Sequence, residues 1–109
     1  MEISEIQKFA KLQNNHFREK WPELSDSRRL ALAQGVKLSE EVGELSEQIL
    51  KEQGFQRKEK AAGSVGEEVA DVIFAAALIA EDFGIDLETA LQEKLKKLYS
   101  RMDADKPST

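Results

Sequence analysis

Two short acidic segments hold most of the chemical potential of this chain: Glu40-Glu41-Val42-Gly43-Glu44 and Glu67-Glu68-Val69-Ala70-Asp71. Each places acids three residues apart, Glu41 with Glu44 and Glu68 with Asp71, and on a helix residues at that spacing share a face. Two such helices side by side bring four carboxylates together beside an apolar core, where unneutralised charges repel each other and resist leaving water. A bound cation removes both penalties. A donor set built from carboxylate oxygens suits a hard ion, Mg²⁺ first and Mn²⁺ next. One Glu-x-x-Glu on a charged helix usually belongs to a solvated face. Here the motif is doubled, and its second copy runs straight into the longest apolar stretch, Val72 to Ala80, where surplus charge is least welcome.

Other chemistries find too few residues. The chain has no cysteine, which excludes a disulfide framework, a thiolate zinc site and thiol catalysis. A di-iron carboxylate bundle needs Glu-x-x-His on two helices, but the sole histidine, His16, follows Gln13 at that spacing and is expected on a helix surface or near the rim of a site. No Ser/His/Asp arrangement has support, and there is no Walker-type glycine loop. A net charge of −5 argues against nonspecific nucleic-acid binding and against a basic membrane-surface helix. The apolar run is too short to cross a bilayer. Met1 to Glu5 lacks both the basic and the apolar region of a signal peptide. These features fit a cytoplasmic protein.

The elements that must position the acids are helical. At 109 residues the chain is expected to form a single domain over 1–109 with a modest core. A first helix is predicted from about Ser4 to Lys20, its stripe of Ile3, Ile6, Phe9, Ala10 and Phe17 broken only by Gln13, and Trp21-Pro22 stops it. Ser25 or Asp26 caps a second helix, Ser27 to about Lys51, with an inner face of Leu30, Gln34, Leu38, Val42, Leu45 and Ile49. Lys37, Glu41, Glu44 and Gln48 fall on one flank of that face, while Glu40 and Glu47 point away from it. Gly43 in mid-helix costs about 1 kcal/mol against alanine, marking either a close approach or simple tolerance. Gln53 to Gly66 reads as a loop, whose Arg57, Lys58 and Lys60 either close over phosphates or are merely solvated. A third helix, Gly66 to Phe83, is apolar all round, which calls for cover from a partner subunit; Gly84 ends it. Asp86 is predicted to cap a fourth, Leu87 to about Met102, with Leu87, Leu91, Leu95, Leu98 and Met102 inward and a basic stripe of Lys94, Lys97 and Arg101. Asp103 to Thr109 is a polar tail, expected to fray. The expected class is all-α: a four-helix bundle completed by oligomerisation.

Glu-Glu-x-x-Glu at 40–44, followed by Glu-x-x-Asp at 68–71 and its apolar continuation Val72-Ile73-Phe74, resembles the MazG-like all-α nucleoside triphosphate pyrophosphohydrolases. The likeness extends, more weakly, through Gly84–Leu91 and Lys94–Leu98, and spans about Leu30 to Arg101. It implies Mg²⁺-dependent hydrolysis of (deoxy)nucleoside triphosphates to monophosphate and pyrophosphate, of a house-cleaning kind that removes noncanonical or surplus nucleotides. It also implies metal ligands at Glu41, Glu44, Glu68 and Asp71, a catalytic centre at Glu40 and Glu41 with Glu40 orienting or deprotonating the attacking water, and a homodimer or homotetramer with sites shared between subunits. Lys94, Lys97 or Arg101 would neutralise phosphate charge, and Trp21 would stack on the base or serve packing. Relatives of the dCTP-preferring branch often carry an asparagine near the position of Leu98, so no base preference is assigned. Hydrolysis of phosphoribosyl-ATP stays open, as do a nucleotide-binding or metal-binding sensor without turnover and a structural helical oligomer.

Overall fold

A computed structural model of the chain describes residues 1–55 and 63–105. Its α-helices are α1 (Ile3–Lys20), α2 (Ser27–Glu52), α3 (Val65–Asp82) and α4 (Leu87–Ala104), with a 3₁₀ turn at Pro22–Ser25 between the first two. There is no strand among the described residues, so the chain is all-α as expected, and no described helix is long and apolar enough to cross a membrane.

Local chemistry sets the helix ends. Asp26 accepts a hydrogen bond from the Arg28 N–H at 2.9 Å, capping α2 as predicted. Gly54 (φ +81°) and Gly84 (φ +66°) adopt left-handed backbone just past α2 and α3. In both, the following N–H reaches back to a carbonyl of the last turn, Phe55 to Leu50 at 2.8 Å and Ile85 to Ala80 at 2.9 Å, which closes the helix end with a glycine turn. The third helix begins at Val65, capped by Ser64, whose hydroxyl accepts from the Glu67 N–H at 3.1 Å. Asp86 precedes α4 but makes no side-chain bond to its backbone. Instead its carboxylate accepts from the Thr89 hydroxyl, and the Leu87 N–H donates to Gln7 Oε1 of α1. Helix α4 extends through Asp103 and Ala104, two residues past the expected end. Arg57, Lys58 and Lys60 lie outside the described residues.

The interface between α2 and α3 is the most extensive among the described elements, with α1 packed on α3. Contacts between α1 and α3 advance together along both helices. Phe9 meets Phe74 edge-to-face, Asn14 donates to the Leu78 carbonyl, and Arg18 pairs with Asp82; the two helices therefore run parallel. The centre is small-residue packing: Ala75, Ala77 and Ala80 of α3 and Ala10 of α1 are buried, with Leu30 of α2 the largest apolar side chain fully enclosed.

Two expectations about faces are corrected. On α2 the buried positions are Leu30, Gln34, Glu41, Gln48 and Lys51, while Val42 and Ile49 are each 45% exposed. The helix is rotated so that the flank carrying Glu41, not the most apolar arc, meets α3. On α4, Leu91, Leu95, Leu98 and Met102 are exposed rather than inward, because the helix makes only slight contact with α1 and α3. Val69 and Ile73 of α3 are likewise uncovered. The radius of gyration of 17.4 Å compares with about 13 Å for a compact chain of this length, which is what four helices give when one of them stands away from the rest.

Candidate metal centre

Because α2 and α3 pack with the Glu41 flank turned inward, the two acidic segments meet. Glu41, Glu44 and Glu68 each offer a carboxylate oxygen within 4.8 Å of the others. Glu41 is buried, and Glu68, one turn into α3, is half-buried. The Oε2 atoms of Glu41 and Glu68 are sealed from water and have no hydrogen-bond partner among the described residues. Asp71 is exposed and lies outside this tight cluster, although it borders the same cleft as Glu41. Gly63 stands against the outer side of the cluster; a Cβ there would sit 3.1 Å from Glu68 Oε1 and 3.2 Å from Glu67 Oε2.

The electrostatics follow from that crowding. Removal from water, then the charges of Glu44, Asp71, Glu41 and Glu67, push the Glu68 carboxyl above its ordinary range. Lys37, on the same helix as Glu41, pairs directly with the cluster. Lys37 Nζ lies 3.2 Å from Glu41 Oε1 and 3.4 Å from Glu40 Oε2, and these pairs hold its ammonium above the usual lysine value. Lys51, also on α2, is buried and lines the pocket on the Glu44 and Glu68 side, yet the two orphaned oxygens have no donor among the described residues. Oxygen-only ligands, unsatisfied and crowded, are the donor set a hard divalent ion takes, so the residues present fit Mg²⁺.

Beside the cluster opens a cleft of about 470 Å³ between α1, α2 and α3. Its walls are largely apolar, with Phe9, Phe17, Phe74 and Leu78 among them, and its acidic end is formed by Glu41 and Asp71 with Lys37. The volume falls in the range that encloses a small organic ligand.

The other expected site residues lie elsewhere. Glu40 is exposed, paired to Lys37 and outside the carboxylate cluster. Trp21 meets Phe17 at a tilt, with ring centres 5.9 Å apart, and carries Lys20 Nζ 4.6 Å over its ring, a packing arrangement at the end of α1 that does not line the cleft. Lys94, Lys97 and Arg101 are exposed along α4 and line neither the cleft nor the pocket at Gly63. His16 is on the surface, as expected. Two residues that periodicity treated as interruptions, Gln13 and Gln34, line the cleft. A polar residue in an otherwise buried stripe was the available signal for both.

Carboxylates from two adjacent helices, with Glu41 and Asp71 bordering a ligand-sized cleft, form a candidate divalent-metal site in an all-α chain. The model of the MazG nucleotide pyrophosphohydrolase domain matches residues 32–104, about two thirds of the chain, and the chain belongs to that family. Membership points to nucleotide pyrophosphohydrolase activity and, with the acidic cluster, to dependence on a divalent metal. No curated protein and no solved structure matches the chain. The matched span contains the carboxylates, Gln34 and Lys37, whereas α1, which supplies one wall of the cleft, precedes it.

Proposed function

We propose that this protein hydrolyses (deoxy)nucleoside triphosphates to the monophosphate and pyrophosphate with Mg²⁺, as a cytoplasmic house-cleaning enzyme acting on noncanonical or surplus nucleotides. The observation that carries this reading is the convergence of Glu41, Glu44 and Glu68, of which Glu41 also lines the end of an apolar cleft, with two carboxylate oxygens left without partners among the described residues. In this reading Glu41, Glu44 and Glu68 hold the ion, and Asp71, at the cleft edge, completes its ligands. When bound, Mg²⁺ neutralises triphosphate charge and polarises the phosphoryl oxygens. The apolar walls exclude water from the nucleoside and hold it so that the triphosphate extends toward the acids. Glu40, exposed and adjacent, orients the attacking water and takes its proton. Lys37 shifts from carboxylate to phosphate as the charge of the site changes.

A second copy of the chain completes the fold. Val42, Ile49, Ile73, Leu91 and Leu95 are exposed apolar positions on three helices, and the extended radius of gyration leaves room beside α4. In a homodimer or homotetramer those faces are covered, and α4 of one copy brings Lys94, Lys97 and Arg101 toward phosphates bound by its neighbour.

The test is a panel of nucleoside triphosphates with Mg²⁺, read out as monophosphate and pyrophosphate, alongside Glu44→Gln. Pyrophosphate release that disappears in the variant and without metal is the expected result. Absence of pyrophosphate from every nucleotide, at Mg²⁺ concentrations that stabilise the protein, ends the enzyme reading.

A further inference from the structure

Asn14 of α1 and Gln34 of α2 form a buried amide pair where α1, α2 and α3 meet, 1% and 5% exposed. The direction of their hydrogen bonds can be worked out from one end. The Leu78 main-chain carbonyl only accepts, so Asn14 must present its amide nitrogen to it, and does so at 3.1 Å. Asn14 Oδ1 is then the acceptor for Gln34 Nε2. That leaves Gln34 Oε1 as the free end of the relay, an acceptor sealed from water with no donor among the described residues, on a residue that lines the cleft. Two apolar residues of similar volume would fill these positions with little loss of stability, whereas a half-satisfied polar pair is a standing penalty. The polarity therefore has a use outside the packing of the chain.

We propose that Gln34 is a specificity-determining residue: its Oε1 accepts a hydrogen bond from an amino N–H of the nucleobase held in the cleft. This rests on the nucleotide reading given above. The Leu78–Asn14 relay fixes the Gln34 amide, so the base meets an oxygen and not the NH₂. A base with an amino group at that position satisfies the orphaned acceptor. A base with a carbonyl there sets two acceptors against each other and leaves both unpaired. The cleft thus favours the amino member of a matched pair, cytosine over uracil and adenine over hypoxanthine. Sites that must hydrogen-bond a ligand group reject analogues lacking it far more strongly than apolar pockets reject a change of size, so the preference is expected to be roughly tenfold or more within each pair. Asn14 lies before the span that defines the family, so this device combines a residue inside that span with one outside it.

The experiment measures binding of α,β-methylene analogues of CTP, UTP, ATP and ITP with Mg²⁺ by calorimetry, and turnover of the natural nucleotides in parallel. The variants are Gln34→Met, which keeps length but not the acceptor, and Asn14→Leu, which frees the Gln34 amide to turn. The expected result is tighter binding of each amino member by the unaltered protein, a ratio near one in Gln34→Met, and a lowered or inverted ratio in Asn14→Leu although Gln34 is intact. A ratio near one in the unaltered protein overturns the proposal whatever the variants do, and so does a full ratio retained by Gln34→Met. Either outcome with pyrophosphate still released leaves the proposed activity standing. A Gln34-dependent ratio without turnover upholds the proposal and removes the hydrolysis. Failure of every analogue to bind overturns both.

Discussion

Replacing Glu41 by glutamine separates a metal ligand from a structural carboxylate, because the two roles predict opposite changes in stability. Glu41 is 8% exposed, with Oε1 on Lys37 and Oε2 unpartnered. Without metal, the substitution loses the Lys37 pair, which reaches into solvent on the lysine side and is worth about 0.5 kcal/mol. It also removes one of the like charges gathered within 4.8 Å, relieving repulsion with Glu44 on the order of 1 kcal/mol at a high effective dielectric. The metal-free variant should therefore be as stable as the parent or slightly more so. Mg²⁺ reverses the order. At ten times its dissociation constant a ligand that binds only the folded state adds about 1.4 kcal/mol, which raises the melting temperature of a domain near this size by roughly 6–10 °C. The parent protein should show that rise in a Mg²⁺ titration followed by scanning calorimetry, and Glu41→Gln should remain flat. A variant with the full Mg²⁺ response would place the ion elsewhere. A metal-free loss of several kcal/mol would mean that the Glu41 charge holds the fold together, and the argument from crowding would fail.

Glu68 carries a pH signature. Its carboxyl lies above the unfolded value, so its contribution to metal-free stability is complete below the ordinary carboxyl range and is lost as pH rises through the raised value; urea melts from about pH 4 upward should show this fall in the parent and not in Glu68→Gln. Arg18→Leu strips the partner from Asp82, whose side chain is 2% exposed at 3.0 Å from the guanidinium. The expected loss is about 2–3 kcal/mol, less than for a fully buried pair because Arg18 is partly open to water, and Arg18→Leu with Asp82→Leu should recover most of it in denaturant unfolding. Gly43→Ala is expected to stabilise by about 1 kcal/mol, since a Cβ there meets nothing within 4 Å. A decrease, accompanied by loss of assembly in sedimentation, would mean that a neighbouring copy approaches that turn.

Signals that act within a few residues were readable in the sequence. Asp26, Gly54 and Gly84 stand where the helices begin and end because capping and left-handed turns are local events. Ser64-Val65-Gly66-Glu67 carried the same kind of signal; placing the start of the third helix at Gly66 overlooked it. The facing of α2 was not readable in that way. Hydrophobicity says that Val42 and Ile49 should leave water, but not whether α3 or another surface covers them. In the chain, α3 takes the polar flank, and both are left exposed. The same gap separates the expected inward face of α4 from its observed exposure.

The acids and the cleft differ in how far sequence can reach them, and the reason is physical. A surplus of carboxylates beside an apolar segment is costly wherever those helices pack, so the doubled motif pointed to Glu41, Glu44 and Glu68 before any geometry was known. Asp71 met the same spacing rule yet stands outside the cluster, since a shared helix face permits convergence but does not fix which carboxylates reach inward. The cleft is a property of three helices meeting, and no single stripe encodes it. What a stripe does record is its exceptions. Gln13 and Gln34 broke otherwise apolar faces and counted as noise against the helical period. Burying an amide requires partners for both its ends, and following those partners from Gln34 to Asn14 to the Leu78 carbonyl leads to the one oxygen of the relay that the chain leaves unsatisfied. For a helical chain of this kind, a polar residue that survives inside an apolar stripe is therefore better treated as a pointer to a ligand than as a flaw in the pattern.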